Sequence, residues 1–346
     1  MRVYANMTLF RGVPPPDVVR LVTGVWAGTG RLAHVDSVAH LDAALKICDH
    51  DDDLVFGPFP GRKGKLVRGE GDLATEGDQF ATSAGICRVL SYSTTAARTG
   101  SAVVRVMSSL DYRSFLADAD RARGTGAFAP FLTDPTTVLG DLCALGDGDD
   151  CGGARLARLH VSRSGIVRPT PAGALLGSIG FDRARLTDAA AALSANGDVC
   201  LNGVVRAEVI SEARDRRPWL SRYLTALHVL RLLRDRGTTG WNVSGFGARL
   251  APADEHSRAE LPGAPLLLWR GDSYRLWPDG ATRALSLRRT NAAVADIILT
   301  SPDLGCARHR VSRHLGTPGV KATQAIVELL TGYPELTGSL RWGGGP

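Results

Sequence analysis

Gly28-Thr-Gly30-Arg-Leu-Ala33 fits the loose G-x-G-x-x-A dinucleotide pattern, and the acids Asp51 to Asp53 follow about twenty residues on. That chemistry needs a buried strand before the first glycine and a helix N-terminus at the pyrophosphate. Val18 to Val22 reads instead as helical, and the acids precede the strand Leu54 to Phe56 rather than ending it. A turn is expected. Gly57-Pro-Phe-Pro-Gly61-Arg-Lys-Gly-Lys65 resembles a phosphate loop, but no hydroxyl follows Lys65 to ligate magnesium. A solvated hairpin tip is expected there.

Cys143, Cys151 and His160 could supply three zinc ligands, with Asp149 or Asp150 as a fourth. Zinc takes closely spaced ligands presented on one turn. These separations are loose, so the reading is a buried thiol and a surface histidine, with no metal or other cofactor. His228 sits on an apolar helix and reads as a packed or core-edge histidine. Asp254-Glu255-His256 could orient an imidazole, but it falls in a polar stretch with nothing rigid behind it. The chain has no H-E-x-x-H, G-x-S-x-G or C-x-x-C. No nucleophile, base and oxyanion donor come together, and a non-catalytic protein is expected.

The pattern predicts an α+β, multidomain chain. A mixed α/β domain of undefined role spans 1–145. In it Val3 to Phe10 reads as a strand, Pro16-Asp17 opens a helix, and Asp36-Ser37 caps another carrying Val38, Leu41 and Leu45. Gly61 to Gly71 reads as a loop or exposed hairpin, Val103 to Val106 as a strand and Tyr112 to Arg123 as a helix. A proline-bearing helix runs from Asp134 to about Leu145. The run 146–153 reads as a linker.

A central α+β domain spans 154–250. Leu156 to Val161 and Ile166-Val167 flank the turn Ser164-Gly165, and a small alanine-rich helix starts at Thr187-Asp188. Val199 to Val209 is strand-like. Arg217 to Arg236 is a helix whose arginines, Arg222, Arg231, Arg234 and Arg236, read as its wet face. Pro252 to Pro265 reads as a second linker.

The third domain spans 264–336. Leu266 to Arg270 and Tyr274 to Trp277 are strands joined at Gly271-Asp272, and Thr282 to Leu287 is a third. Helices follow at Asn291 to Leu299, Arg308 to Leu315 and Val320 to Leu330. A small sheet followed by three short helices is a winged helix-turn-helix layout. The strand ending Leu285-Ser-Leu287, then Thr290-Asn-Ala-Ala293 leading into Ala295-Asp296-Ile297-Ile298, resembles the RiPP recognition element of the pyrroloquinoline-quinone chaperone-like family. Arg288-Arg289-Thr290 intervenes before Asn291, and Ser301-Pro302-Asp303-Leu-Gly305 replaces the usual acidic-glycine turn. At this length, with the module at the carboxyl end, the chain looks most like the recognition proteins of daptide-type pathways.

The resemblance implies a protein that binds a precursor's leader peptide by strand addition and presents it to RiPP-modifying enzymes. On this chain the edge would be Ala284, Leu285, Ser286 and Leu287. The helix wall would be Val320, Thr323, Gln324 and Val327, with Arg288 or Lys321 facing acidic leader residues. The competing expectation is a winged-helix DNA-binding regulator reading a major groove with Val320 to Leu330. That helix holds one lysine, one glutamate and no arginine, so nucleic acid is not the expected partner.

Composition agrees with a globular chain. Of 346 residues, 44% are hydrophobic and 22% charged, which excludes wholesale disorder. The formal charge of +6 is carried mostly by arginine, since lysine occurs only at Lys46, Lys63, Lys65 and Lys321. Six scattered cysteines read as reduced thiols. No apolar run nears the roughly 20 residues of a membrane helix, and the start is no signal peptide, so a cytoplasmic, membrane-free protein is expected.

Overall fold

The computed structural model describes residues 16–24, 30–59, 62–82, 85–95, 101–146, 156–194, 199–260, 263–278 and 283–331. The predicted strand Val3 to Phe10, Gly28, Asp149, Asp150 and Cys151 lie outside them. The chain is α+β, with ten α-helices and two mixed sheets among the described residues. These residues fall into two units, 16–117 with 130–217 and 118–129 with 218–331, called here N-terminal and C-terminal.

The N-terminal unit carries α1 (Pro16–Thr23), β1 (Leu32–Val35), α2 (Leu41–Ile47), β2 (Leu54–Gly57), β3 (Arg62–Lys63), β4 (Leu66–Glu70), β5 (Gln79–Thr82), β6 (Gly85–Ser91) and β7 (Ala102–Arg105). The helix α3 (Ser109–Thr125) begins here and ends among residues of the other unit. Then come β8 (Thr137–Leu139), α4 (Leu142–Leu145), β9 (Arg158–Val161), β10 (Ile166–Arg168), β11 (Gly177–Ser178), α5 (Arg183–Ser194) and α6 (Ala207–Arg216).

These strands form one sheet in the order β11-β10-β9-β1-β2-β4-β5-β6-β7-β8, with β3 paired to β4. The core strands β1, β2, β7 and β9 are buried at every residue, as parallel strands covered on both faces must be. Alternate side chains serve opposite faces. Leu32, Leu54 and Phe56 pack with Val18, Val19 and Val22 of α1. Ala33, Val35 and Val55 pack with Ala44 and Ile47 of α2 and Leu186 and Ala190 of α5.

Several expectations change here. Of the two readings of Gly61 to Gly71, the hairpin is the one seen, β3 pairing antiparallel with β4, but β4 lies within the sheet between β2 and β5 and is not a solvated excursion. The helix predicted from Asp134 is the strand β8 followed by the single turn α4. Its apolar run is too short for periodicity to separate the two states. Val199 to Val209 is turn and the start of α6, where Ile210 and Ala213 supply a helical core face that β-branched neighbours obscured. Across the run read as the first linker, β9 pairs in parallel with β1, so strands on either side of it share a sheet.

The C-terminal unit carries α7 (Leu220–Asp235), β12 (Asn242–Ser244), β13 (Gly247–Ala248), β14 (Leu266–Arg270), β15 (Ser273–Trp277), β16 (Leu285–Leu287), α8 (Arg289–Leu299), α9 (Leu304–Leu315) and α10 (Gly319–Thr331). The sheet order is β13-β12-β14-β15-β16. It therefore begins before residue 264. Leu267, Leu276, Val294, Ile297, Ile298, Val311 and Ile326 form its core, joining the sheet to all three last helices.

The stretch read as a second linker, Pro252 to Pro265, is built into this unit. Glu260 is buried against Arg249 (2.9 Å) and Arg123 (3.6 Å). Burial raises the Glu260 carboxyl, but Arg222 and Arg249 outweigh it and hold the group below its ordinary value. The arginines of α7 correct a second expectation. Arg222 and Arg231 are buried, and Arg222 Nη1 donates to the Ala264 carbonyl at 2.5 Å. A guanidinium with fixed carbonyl acceptors is retained inside where a solvated one would face water.

Asp254 also does structural work. It receives Arg310 Nε at 3.1 Å and contacts His314 Nε2 at 2.7 Å, while Ser257 Oγ donates to it at 3.0 Å. The His314 contact, with Ser257 and Arg310, holds its carboxyl far below the ordinary range. A depressed carboxylate stabilises the fold above its unfolded pKa, about 3.9, and loses that contribution as pH falls below it. The melting-temperature gap between the native protein and Asp254→Asn should therefore narrow as the pH falls below about 4. A gap independent of pH would show that the charge contributes nothing.

Candidate functional site

Tyr274↔Leu287, Arg275↔Ser286 and Leu276↔Leu285 register β16 antiparallel to β15. β16 is the last strand of its sheet, and among the described residues nothing pairs with its outer side. Alternation sets its side chains. Leu285 and Leu287 are half-buried and pack on the unit's core, while Ser286 is exposed. Ala284 is half-buried, and Arg288 is exposed just before α8.

The helices behind the strand are held tightly. Gly316 ends α9 in the left-handed region (φ 62°), and Gly319 opens α10 where a Cβ would stand 2.1 Å from the Arg308 carbonyl. Only glycine permits that approach. Arg310 is enclosed and caps α8, donating to the Ile297 and Thr300 carbonyls at 3.3 and 3.2 Å and to Ser301 Oγ at 2.8 Å.

On α10 the expected peptide wall divides. Val320, Lys321 and Gln324 are exposed, and Gln324 Nε2 donates to Glu328 at 3.1 Å. Val327 is half-buried on the core. Thr323 is buried, its hydroxyl donating to the Gly319 carbonyl at 2.6 Å, so it faces the unit's own interior. Periodicity named the helix but could not assign that face.

A second constellation lies in the N-terminal unit, and of its members the sequence marks only His160 as a candidate ligand. His160 is buried, not at the surface, because β9 is an interior strand. Its register partner on β1 is His34, and the two rings stack with centroids 5.4 Å apart. Asp36 follows β1 and contacts both, His34 Nδ1 at 3.3 Å and His160 Nε2 at 3.3 Å. Burial and the neighbouring His160 push His34 down to about 3, so its imidazole is neutral near pH 7. Burial raises the Asp36 carboxyl, and contact with His160 and His34 more than offsets this, leaving it below its ordinary value.

Beside the rings, Arg105 and Arg158 are buried on one carboxylate, Asp141, at 2.6 and 3.3 Å. They line a cavity of about 10 Å³ together with His34, His160, Leu73 and Thr170. Cys143 does not join His160; its sulfur accepts from Arg158 Nη2 at 3.1 Å. The glycine pattern likewise has no nucleotide geometry. Strand β1 follows Gly30 instead of preceding it, and a Cβ on Gly30 would meet the Asp52 carbonyl at 2.1 Å. Asp53 accepts the Arg31 backbone N–H at 2.6 Å and so closes that turn. His228 is buried on α7, and burial with Arg231 pushes it down to about 3.

No helix among the described residues is long and apolar enough to cross a membrane. Comparison with protein-family models, curated proteins and solved structures returns no match.

Proposed function

We propose that this chain binds an extended peptide, the leader of a ribosomally synthesised precursor, and presents it to RiPP-modifying enzymes without itself catalysing a reaction. The leader adds as a strand to β16, with β15 on the far side. One observation carries this reading: β16 has a single neighbour among the described residues. An unpaired strand edge offers main-chain donors and acceptors to another chain, and such edges invite pairing unless they are used or protected.

In this reading α8, α9 and α10 with the β14–β16 sheet form a winged helix of the RiPP recognition type, and the protein works in the cytoplasm. Affinity comes from main-chain hydrogen bonds along β16. Selectivity comes from the exposed groups beside it, Ser286, Arg288, Val320, Lys321 and Gln324. Leu285, Leu287 and Thr323 support the platform. The DNA-binding alternative is weakened by Arg310, whose guanidinium is enclosed by Asp254, Thr300 and Ser301 and is not free for phosphate. Arg308 and Arg313 are the exposed arginines left on α9.

The test is a fluorescence-anisotropy titration with labelled leader segments from short reading frames neighbouring this chain's gene. Saturable binding of one segment, insensitive to an excess of duplex DNA, is expected. Absence of saturable binding by every segment would overturn the proposal. Tight, steeply salt-dependent duplex binding would favour the regulator instead.

A further inference from the structure

We propose that His34, Asp36 and His160 bind a divalent first-row transition-metal ion. The residue set is a two-histidine, one-carboxylate triad, whose nitrogen and oxygen donors suit zinc, iron(II) or manganese(II). The donor atoms of all three residues lie within 4.8 Å of one another. Two ligands each about 2.1 Å from an ion, at tetrahedral or octahedral angles, stand roughly 3.0–3.4 Å apart. His34 Nδ1 stands 3.3 Å from Asp36 Oδ1, and His160 Nε2 stands 3.3 Å from the other oxygen, Oδ2. A charge-assisted hydrogen bond would be closer, about 2.7–2.9 Å.

The hydrogen-bond inventory points the same way. Neither ring nitrogen of His34, neither of His160 and not Asp36 Oδ1 has a hydrogen-bond partner among the described residues, although all five atoms are buried. Buried polar groups are normally paired, because each unpaired one costs about 1–3 kcal/mol. An ion between Asp36 Oδ1, His34 Nδ1 and His160 Nε2 would satisfy three of those groups at once.

Topology supports the location. The three residues sit toward the carboxyl ends of the parallel strands β1 and β9. From β1 the chain continues to β2 on one side, and β9 arrives on the other. Ligands of parallel sheets gather at such carboxyl ends. The adjoining cavity of about 10 Å³ is near the space one water needs, and so leaves room for a non-protein fourth ligand. Arg105 and Arg158, which line it, share the Asp141 carboxylate.

The experiment uses the full chain, stripped with a chelator and titrated with cobalt(II) and then zinc. One equivalent of cobalt should bind with visible d–d absorption, and zinc should displace it. His160→Gln, His34→Gln and Asp36→Asn should each weaken binding at least tenfold while circular dichroism stays unchanged. X-ray absorption of the zinc-loaded native protein should show two imidazole ligands, a readout that needs no variant to fold. Failure of the native protein to bind one equivalent, or a bound ion without imidazole ligands, would overturn the proposal. So would unchanged affinity in a folded His160→Gln. The site shares no residue with the β16 edge, so peptide binding and metal binding can fail independently.

Discussion

Asp141→Ala lowers the unfolding free energy of the N-terminal unit by about 3–5 kcal/mol. Asp141 is fully buried and is the carboxylate on which Arg105 and Arg158 converge. Arg105 donates both Nε and Nη2 to its Oδ2, at 3.0 and 2.6 Å. Alanine leaves two enclosed guanidiniums without their counter-charge, and desolvated charges that lose a partner are among the costliest defects in a protein. The backbone adds to the loss. Asp141 has φ of 53°, a left-handed conformation that alanine adopts at a cost of roughly 1–2 kcal/mol.

Asp141→Asn separates these contributions, since asparagine tolerates the left-handed region and keeps an acceptor oxygen. Urea unfolding followed by circular dichroism should rank native above Asn above Ala. Equal midpoints for all three would show that the two arginines are not held by this charge. Because both arginines line the cavity beside His34 and His160, the Asn variant should also disturb metal binding before it unfolds the protein.

A proline in β16 should abolish peptide binding at one position and destabilise the sheet at the next. In an antiparallel edge strand, successive N–H groups alternate between the neighbouring strand and the open side. Of Leu285 and Ser286, therefore, one donates toward β15 and the other is available to a ligand. Leu285→Pro and Ser286→Pro remove these two donors separately. The variant lacking the open-side donor should lose at least tenfold in leader affinity while melting close to the native protein. The other should lower the melting temperature. If both folded variants bind the leader as the native protein does, the peptide does not add to this edge.

The sequence exposed local structure and concealed contacts made at long range. The hairpin β14–β15, its turn at Gly271 and the helices α8, α9 and α10 are written in periodicity and turn chemistry. The β9–β10 turn at Gly165, with φ of 78°, was legible for the same reason. Strand β8 and helix α6 differ from the sequence expectation because short apolar or β-branched stretches carry no decisive period. Helical spacing puts Arg222 and Arg231 on a wet face, because their burial and the carbonyl partners of Arg222 are tertiary facts. Arg222 finds its acceptor 42 residues away, beyond what helical spacing reveals.

The two candidate sites differ in the same way. The edge residues Leu285 to Leu287 form one short segment, so a sequence pattern could name them even though it could not tell that Thr323 faces inward. His34 and His160 stand on strands joined by a long excursion through β2 to β8 and meet only through the parallel register of β1 with β9. The available signal was weak: a histidine in Leu32-Ala-His-Val35 and another in Arg158-Leu-His-Val161, two similar buried strands each with a polar residue at its third position.

Amide hydrogen exchange of Leu285, Ser286 and Leu287, measured with and without saturating leader peptide, tests strand addition most directly. The account predicts that an open-side N–H in this segment exchanges fast in the free protein and becomes protected at least tenfold on binding. Equal exchange in both states, with the peptide demonstrably bound, would place the ligand elsewhere and contradict it.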